Sequence, residues 1–470
     1  MFGQNITVDF GTNIKTGINN GVASANLCWL LDSDLPPPNS TQSMRTALAE
    51  LGVKSLRFPY GALAENYLWD TAPFDSTKPT GNLNPKVASS SEAPGTWSWA
   101  VNKNGTFKNA MDFDEYMNLC NSLGIEPLVV VNIQSSKFNK GPTAQDLINS
   151  AVEWVKYAKA KNYDVAYWQI GNEVEHRGTV FTKEEYIAHY VKMVTAMKAV
   201  DSTIKIGPGL IGKTDYFKDI INSRPDLIDF VSTHQYMHKF KDTDYDYNTW
   251  KNSTSMYIPN IVKMQKAVAK SSKPTMELLI TETGVSAGNK PIGTINNTYK
   301  ALWWFDVLMS EISQKNVAYS YFWGTHSPWN GNEDVEEKDV AILLRVDDNS
   351  RKPTAEIVKL VNENITANLV EVTSPKTLKY IKIVAGISND GKNHSIFLLN
   401  RNDEAKEVLL QLHNLNDSVQ HFTRKEFKGN SPEDIKPVIK KSENVTVLNH
   451  QIQIKVPPLS VTILTSINTP

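Results

Sequence analysis

Two apolar runs in this chain each end in a carboxylate. In "VAYWQIGNEVEHRG" (165–178), alternating Val165, Tyr167 and Ile170 give way to Gly171, Asn172 and Glu173, and then to Glu175 and His176. In "LLITETG" (278–284) the run stops at Glu282. A strand followed by Gly-Asn is an ordinary turn signal, and one Glu at a strand end is more often a salt-bridge partner than a catalyst. Two such ends change the reading, because a pair of carboxylates is what glycosidic-bond hydrolysis needs. One hands a proton to the leaving oxygen, and the other attacks or activates water.

The flanking residues fit the same chemistry. Asn172 could hydrogen-bond a sugar hydroxyl beside the scissile bond. Arg57 in "SLRFPYG" could hold a carboxylate ionised through charge and bidentate bonding. His234 and Tyr236 in "DFVSTHQY" alternate onto one face, where the tyrosine could orient Glu282; a core histidine with a partner is an equal reading of His234. Trp323 in "YFWG" offers a flat platform for the C–H face of a sugar ring, against the plainer reading of core packing. Asn132, Glu175, His176 and Trp329 complete the candidate substrate contacts.

These residues need a scaffold that brings distant strand ends together. From about residue 20 to 360, eight strand-like segments alternate with amphipathic helices: "GVASANLCWLL", "VKSLRFPY", "EPLVVVN", "VAYWQIGNE", "IKIGPGL", "DFVSTHQY", "ELLITETG" and "VAYSYFWG". Leu147, Ile148, Ala151, Val152 and Val155 recur at helical spacing, and Thr182 with Glu185 forms a capping box ahead of a Tyr186, Tyr190, Val194 and Met197 stripe. Eight strands each followed by a helix predict a (β/α)8 TIM barrel, α/β in class, whose C-terminal strand ends share one mouth. Glu173 ends the fourth strand and Glu282 the seventh, so both would face that mouth.

The alternation stops after "KPTAEIVKLVNENI", and turn-separated strand segments then run to the end. We read residues 1–362 as the barrel and 363–470 as a C-terminal antiparallel β-sandwich, to which residues 1–15 could lend a strand. Three loop sets at strand ends are rich in aromatics: Trp69, Trp97 and Trp99; Tyr245, Tyr247 and Trp250; and Trp329 near His326. Such a supply exceeds what one sugar ring uses and favours a poly- or oligosaccharide substrate.

Composition bounds the alternatives. A formal net charge of -1 gives no general pull toward nucleic acid or an anionic membrane. No apolar run is long enough to span a bilayer, which fits a soluble globular chain. Cys28 and Cys120 have neither metal-type nor redox-type spacing and read as buried thiols. A metal-dependent hydrolase would need His and Asp at several strand ends, whereas only His234 qualifies, with His238 nearby; no metal site is expected. The opening "MFGQNITVDF" lacks a basic segment ahead of an apolar core, so the chain reads as cytoplasmic, or as secreted or periplasmic with its leader trimmed. The sequence leaves the oligomeric state open.

In order along the chain, "RFPYG", "GNE", "HQY", "TETG" and the Trp of the eighth strand resemble clan A retaining glycoside hydrolases. The resemblance is to the group of family 51 arabinofuranosidases, family 39 xylosidases and heparanase-like family 79. "MDFDEYMNLCNSLGIEPLVVVN", "KPTAEIVKLV" and "VPPLSVTILT" are similar to the third helix-strand unit, the junction and the last sandwich strands of such enzymes. The resemblance implies double displacement with retention, Glu173 as acid/base and Glu282 as nucleophile, about 5–5.5 Å apart. The pKa of Glu173 would then fall once Glu282 is esterified, because the like charge beside it is gone. No cofactor is implied. The residues around "ITETGVS" and the long Trp-bearing loop depart from family 51 and bear on the substrate. A carbohydrate-binding barrel without turnover, or an exo-acting arabinofuranosidase/xylosidase-type enzyme, is the alternative to an enzyme acting on polymers.

Overall fold

The computed structural model describes residues 4–37, 40–71, 100, 107–175, 181–236, 246–253, 258–285, 295–326 and 342–466, excepting the side chains of 4 and 441–443. Strand β1 (Gln4–Lys15) starts in the C-terminal sheet, and the chain then lays down eight parallel strands. These are β2 (Ala23–Asn26), β3 (Ser55–Phe58), β4 (Glu126–Val131), β5 (Tyr167–Ile170), β6 (Ile206–Pro208), β7 (Phe230–Tyr236), β8 (Glu277–Gly284) and β9 (Val317–Phe322). They pair in the order β6-β5-β4-β3-β2-β9-β8-β7. The ring closes between β6 and β7 through Asp229 N–H donating to Ile206 O at 2.8 Å and Leu210 N–H to Ser232 Oγ at 2.8 Å.

Apolar side chains fill both faces of this ring, as a parallel barrel requires. Leu128, Val130, Tyr167, Phe230, Leu279, Tyr319 and Tyr321 form the interior cluster. Among the described residues the helices are α1 (Met44–Leu51), α2 (Phe113–Leu123), α3 (Ala144–Ala160), α4 (Lys183–Val200), α5 (Thr214–Ser223), α6 (Tyr247–Asn252), α7 (Pro259–Ala269), α8 (Thr298–Ile312) and α9 (Pro353–Asn364). The capping box at Thr182 and Glu185 starts α4, and Thr143 with Asp146 makes a second one at α3. Cys28 and Cys120 are buried and unbridged.

The remaining strands are β10 (Asn368–Thr373), β11 (Ile381–Ile387), β12 (His394–Asn400), β13 (Lys406–His413), β14 (His421–Lys428), β15 (Val438–Thr446), β16 (Gln451–Val456) and β17 (Ser460–Thr465). With β1 they make one nine-stranded sheet in the order β15-β14-β17-β12-β11-β10-β1-β13-β16, antiparallel except for β1 beside β13. Phe422 near one end and Ile454 at the other share one apolar cluster with Val8 and Leu398, so the sheet curls over its own core. Helix α8 is buried along its whole length. It is tied to the curled sheet by Phe305 against Phe397, and by Lys382 Nζ donating to Asp306 Oδ1 at 2.8 Å. Among the described residues, no helix is long and apolar enough to cross a membrane.

Candidate active site

At the C-terminal ends of the barrel strands, three of the candidate side chains, Arg57, Tyr236 and His234, converge on Glu282. Arg57, at the end of β3, places Nη1 3.1 Å from Glu282 Oε1 and donates through Nη2 to Asn172 Oδ1 at 2.6 Å. Tyr236 donates its hydroxyl to Glu282 Oε2 at 2.9 Å. His234 Nδ1 stands 2.8 Å from Glu173 Oε1 and 3.3 Å from Glu282 Oε2, between the two carboxylates. Because β7 alternates regularly here, His234 and Tyr236 both point into the mouth while Gln235 turns outward to the N–H of Asn260 on α7.

Electrostatics pull Glu282 in two directions. Burial pushes its carboxyl up and neighbouring Glu173 adds to that push, whereas His234, Arg57 and the Tyr236 hydroxyl hold it down. Glu173 adopts a left-handed backbone with φ +48°, after Gly171 at φ +77°. Positive φ is costly for a residue with a Cβ and recurs where a side chain must be aimed for function. Trp323 is half-buried, 4.6 Å from the Tyr60 ring and 6.2 Å from that of Tyr236. Gly61 passes so close that a Cβ there would collide with Glu282 Oε1 and meet Trp323 Cζ3 at 2.7 Å.

Other candidates are spent on scaffolding. The Asn132 amide accepts from Ser135 Oγ at 2.8 Å and donates to Tyr67 O at 3.2 Å, so it shapes the turn after β4 and is not presented to the carboxylates. Glu175 is buried, with Oε1 accepting the N–H groups of Ile211 and Gly212 at 2.5 and 3.0 Å, which anchors the turn after β6. His176 and Trp329 lie outside the described residues, as do Trp97, Trp99, Tyr245 and His238. Of the loop aromatics, Trp69, Tyr247 and Trp250 are buried, Trp69 stacking on Trp154 of α3 at 5.7 Å. Their apolar area goes into packing, which removes the described part of the case for an extended sugar cleft.

Three participants escaped sequence reasoning. Asn26, at the end of β2, accepts from Arg57 Nη1 at 2.8 Å and donates to Thr281 O at 3.1 Å. Glu65 is buried and accepts from Asn172 N at 2.6 Å, Ile133 N at 2.8 Å and Gln134 N at 2.9 Å. It thereby ties the turns after β4 and β5 together beneath Glu173, while burial pushes its own carboxyl up to about 7. Gly61 is the third. The signal was present for two of them: Asn26 closes the first apolar strand, and Glu65 interrupts the apolar "ALAEN". Glu173, His234 and Glu282 also form a group with metal-ligand spacing, their donor atoms lying within 4.8 Å of one another. A cation seated there would occupy both carboxylates and the imidazole at once.

Known proteins share this fold and part of this sequence. Residues 47–255 match the sequence profile described as the alpha-L-arabinofuranosidase 1 domain. A probable alpha-L-arabinofuranosidase C of Aspergillus clavatus is 26% identical over 51% of this chain and 46% of that protein. An intracellular exo-alpha-L-arabinofuranosidase of Bacteroides ovatus is 24% identical over 81% of this chain and 76% of that protein. The crystal structure of an alpha-L-arabinofuranosidase from Thermotoga maritima in complex with arabinose superposes with a TM-score of 0.72 at 17% identity, covering 98% of this chain and 99% of that one. The chain resembles alpha-L-arabinofuranosidases in sequence and shares its fold with solved ones. In fold the likeness runs nearly end to end, whereas the chain spans under half the length of the Aspergillus relative. The superposition takes in both the barrel and the curled sheet of this chain.

Proposed function

We propose that this protein is a retaining, exo-acting glycoside hydrolase of the α-L-arabinofuranosidase type, with Glu282 as nucleophile and Glu173 as acid/base. The observation that carries the reading is the linked set Arg57, Glu282, Tyr236, His234 and Glu173 at one barrel mouth. Oxygens of the two carboxylates approach within 4.8 Å. Retaining enzymes hold their carboxyl groups about 5–5.5 Å apart, and the roughly 6.5–9.5 Å of inverting ones leaves room for a water that this spacing lacks.

In the first step an oxygen of Glu282 attacks the anomeric carbon while Glu173 passes its proton to the leaving oxygen. Arg57 and Tyr236 occupy different oxygens of Glu282 and keep it ionised against the cost of burial. With the imidazole hydrogen on Nδ1, His234 donates to Glu173 Oε1 and orients the carboxyl that carries the catalytic proton. Esterification removes the negative charge beside Glu173, so it turns into the base that activates water for the second step. The half-buried Trp323, backed by the buried Tyr60 ring, would line one side of the space where the sugar lies.

An exo-acting arabinofuranosidase is preferred to an enzyme cutting within polymers because the relatives named above are arabinofuranosidases, and because the described loop aromatics are packed in the core. Hydrolysis of 4-nitrophenyl α-L-arabinofuranoside, the corresponding xylosides, arabinan and xylan tests it. Release of single arabinose units, with NMR of the first-formed sugar showing retained configuration, is the expected result. Internal cutting of a polymer without turnover of the arabinofuranoside would overturn the exo reading.

A further inference from the structure

The strand that carries Glu282 does not alternate regularly. Leu279 lies in the barrel interior cluster, and Ile280 lies in the core between strands and helices. Strict alternation would then send Thr281 inward, Glu282 outward toward α8, and Thr283 inward. The contacts run the other way: Glu282 meets Arg57 and Tyr236 in the mouth, and Thr283 Oγ1 reaches Glu311 on α8.

The strand registers locate the reversal. On β7 the consecutive Thr233 and His234 pair with Ile280 and Glu282; on β9, Ser320 and Phe322 pair with Ile280 and Thr283. Strand β8 therefore carries one extra residue against both neighbours, a bulge that falls between Ile280 and Thr283. Inside the barrel, the carbonyl of Thr281 is caught by Asn26 Nδ2 at 3.1 Å and Arg57 Nη1 at 3.4 Å. Outside it, the fully buried Glu311 accepts from Thr283 Oγ1 through Oε1 and from Ser320 Oγ through Oε2, both at 2.6 Å. Those two hydroxyls stand on β8 and β9 beside the bulge. A buried carboxyl is costly wherever apolar packing would serve, and both oxygens of this one are committed there.

We propose that Glu311 is a positioning residue for Glu282: by clamping Thr283 to Ser320 it fixes the bulge that turns Glu282 into the active-site mouth. This rests on the reading of Glu282 as nucleophile. A bulge held by side chains on its two faces is a device for re-aiming a residue, and a misplacement of about 1 Å at reacting atoms costs about 10²-fold in rate.

The test compares Glu311→Leu, Glu311→Gln and Thr283→Val with wild type, by steady-state kinetics on the best aryl glycoside and by crystal structures. Glu311→Leu should lower kcat by about 10²-fold and Thr283→Val by about tenfold, each with KM changed by less than about threefold. Glu311→Gln should stay within about threefold of wild type, since an amide can bond both hydroxyls. In the crystals Glu282 should leave Arg57 in the Leu and Val variants and keep it in the Gln variant. Wild-type kcat in folded Glu311→Leu or Thr283→Val, or Glu282 still paired with Arg57 in both, overturns the proposal. Should Glu311→Leu fail to fold, the near-isosteric Thr283→Val carries the test. If wild type cleaves no glycoside, the functional reading fails, and the crystal structures still decide the positioning claim.

Discussion

Arg57 and Glu282 meet at 3.1 Å with neither side chain more than 3% exposed. The two residues are brought together by β3 and β8, strands that do not touch in the sheet order, so their pairing spans the barrel mouth. A buried carboxylate needs such a partner to ionise at all. Arg57→Met should therefore raise the pKa of Glu282 further, and the acidic limb of kcat/KM should move up by about one unit or more. Activity at neutral pH should fall by about 10³-fold. A pH profile of the variant checks both; an unmoved acidic limb would separate Arg57 from the ionisation of Glu282. Arg57→Lys should rescue little, because one ammonium cannot reproduce the fork that serves Asn26, Asn172 and Glu282 together.

Gly61 tests how tightly the mouth is packed. The constraint at Gly61 is space: a Cβ would strike Glu282 Oε1 and the Trp323 ring. Gly61→Ala should lower kcat by about 10²-fold while costing no more than about 3 kcal/mol of stability. Kinetics beside urea unfolding measure the two effects separately. Unchanged kcat would mean that Glu282 tolerates displacement.

The buried acid behind β8 gives stability a pH dependence of known sign. Burial pushes Glu311 from its ordinary 4.5 up to about 8. The folded protein then holds this proton where the unfolded chain has lost it, so the contribution is full below about pH 4.5 and is lost as pH rises to about 8. The slope over that window is about 1.4 kcal/mol per pH unit. Glu311→Gln lacks this proton, and its stability relative to wild type should rise steadily across the window. Unfolding of both proteins at about pH 5 and about pH 8 provides the comparison, and an unchanged difference would contradict it.

Barrel and curled sheet are joined through α8. Lys382 donates to Asp306 Oδ1 at 2.8 Å and to Ser310 Oγ at 2.7 Å, with Arg401 a further 3.6 Å from the Asp306 carboxylate. Lys382→Met leaves a buried carboxylate with its weaker partner and should cost about 2–3 kcal/mol. Denaturant unfolding gives the value; a loss below about 0.5 kcal/mol would make the contact incidental.

Much of this arrangement was legible in the sequence, for physical reasons that can be named. The barrel strands read clearly because each is a short apolar run with a turn behind it, and the ends of β5 and β8 carry Glu173 and Glu282 where a shared mouth was expected. Regular alternation in β7 was enough to put His234 with Tyr236. Strands β10 and β14 did not stand out: "HFTRKEFK" buries only Phe422 and Phe427, so most of its side chains are polar. Asn132 and Glu175 looked like substrate contacts because a polar residue at a strand end can face either the cleft or the neighbouring turn, and only the fold decides. The loop aromatics misled in the same way, with Trp69 and Trp250 lying against helices. Least legible was the bulge in β8. Read as an unbroken strand, "LLITETG" aims Glu282 at α8, and the extra residue appears only when its register is set against β7 and β9.

The central claim is the division of labour between Glu282 and Glu173, and azide rescue of the two alanine variants on an activated aryl α-L-arabinofuranoside tests it most directly. Glu282→Ala with azide should yield the glycosyl azide of inverted configuration, because azide enters the face that the carboxylate left. Glu173→Ala should yield the retained azide, through a glycosyl-enzyme still formed on Glu282. The opposite pattern would exchange the two roles, and wild-type hydrolysis surviving in both variants would contradict the assignment of the pair.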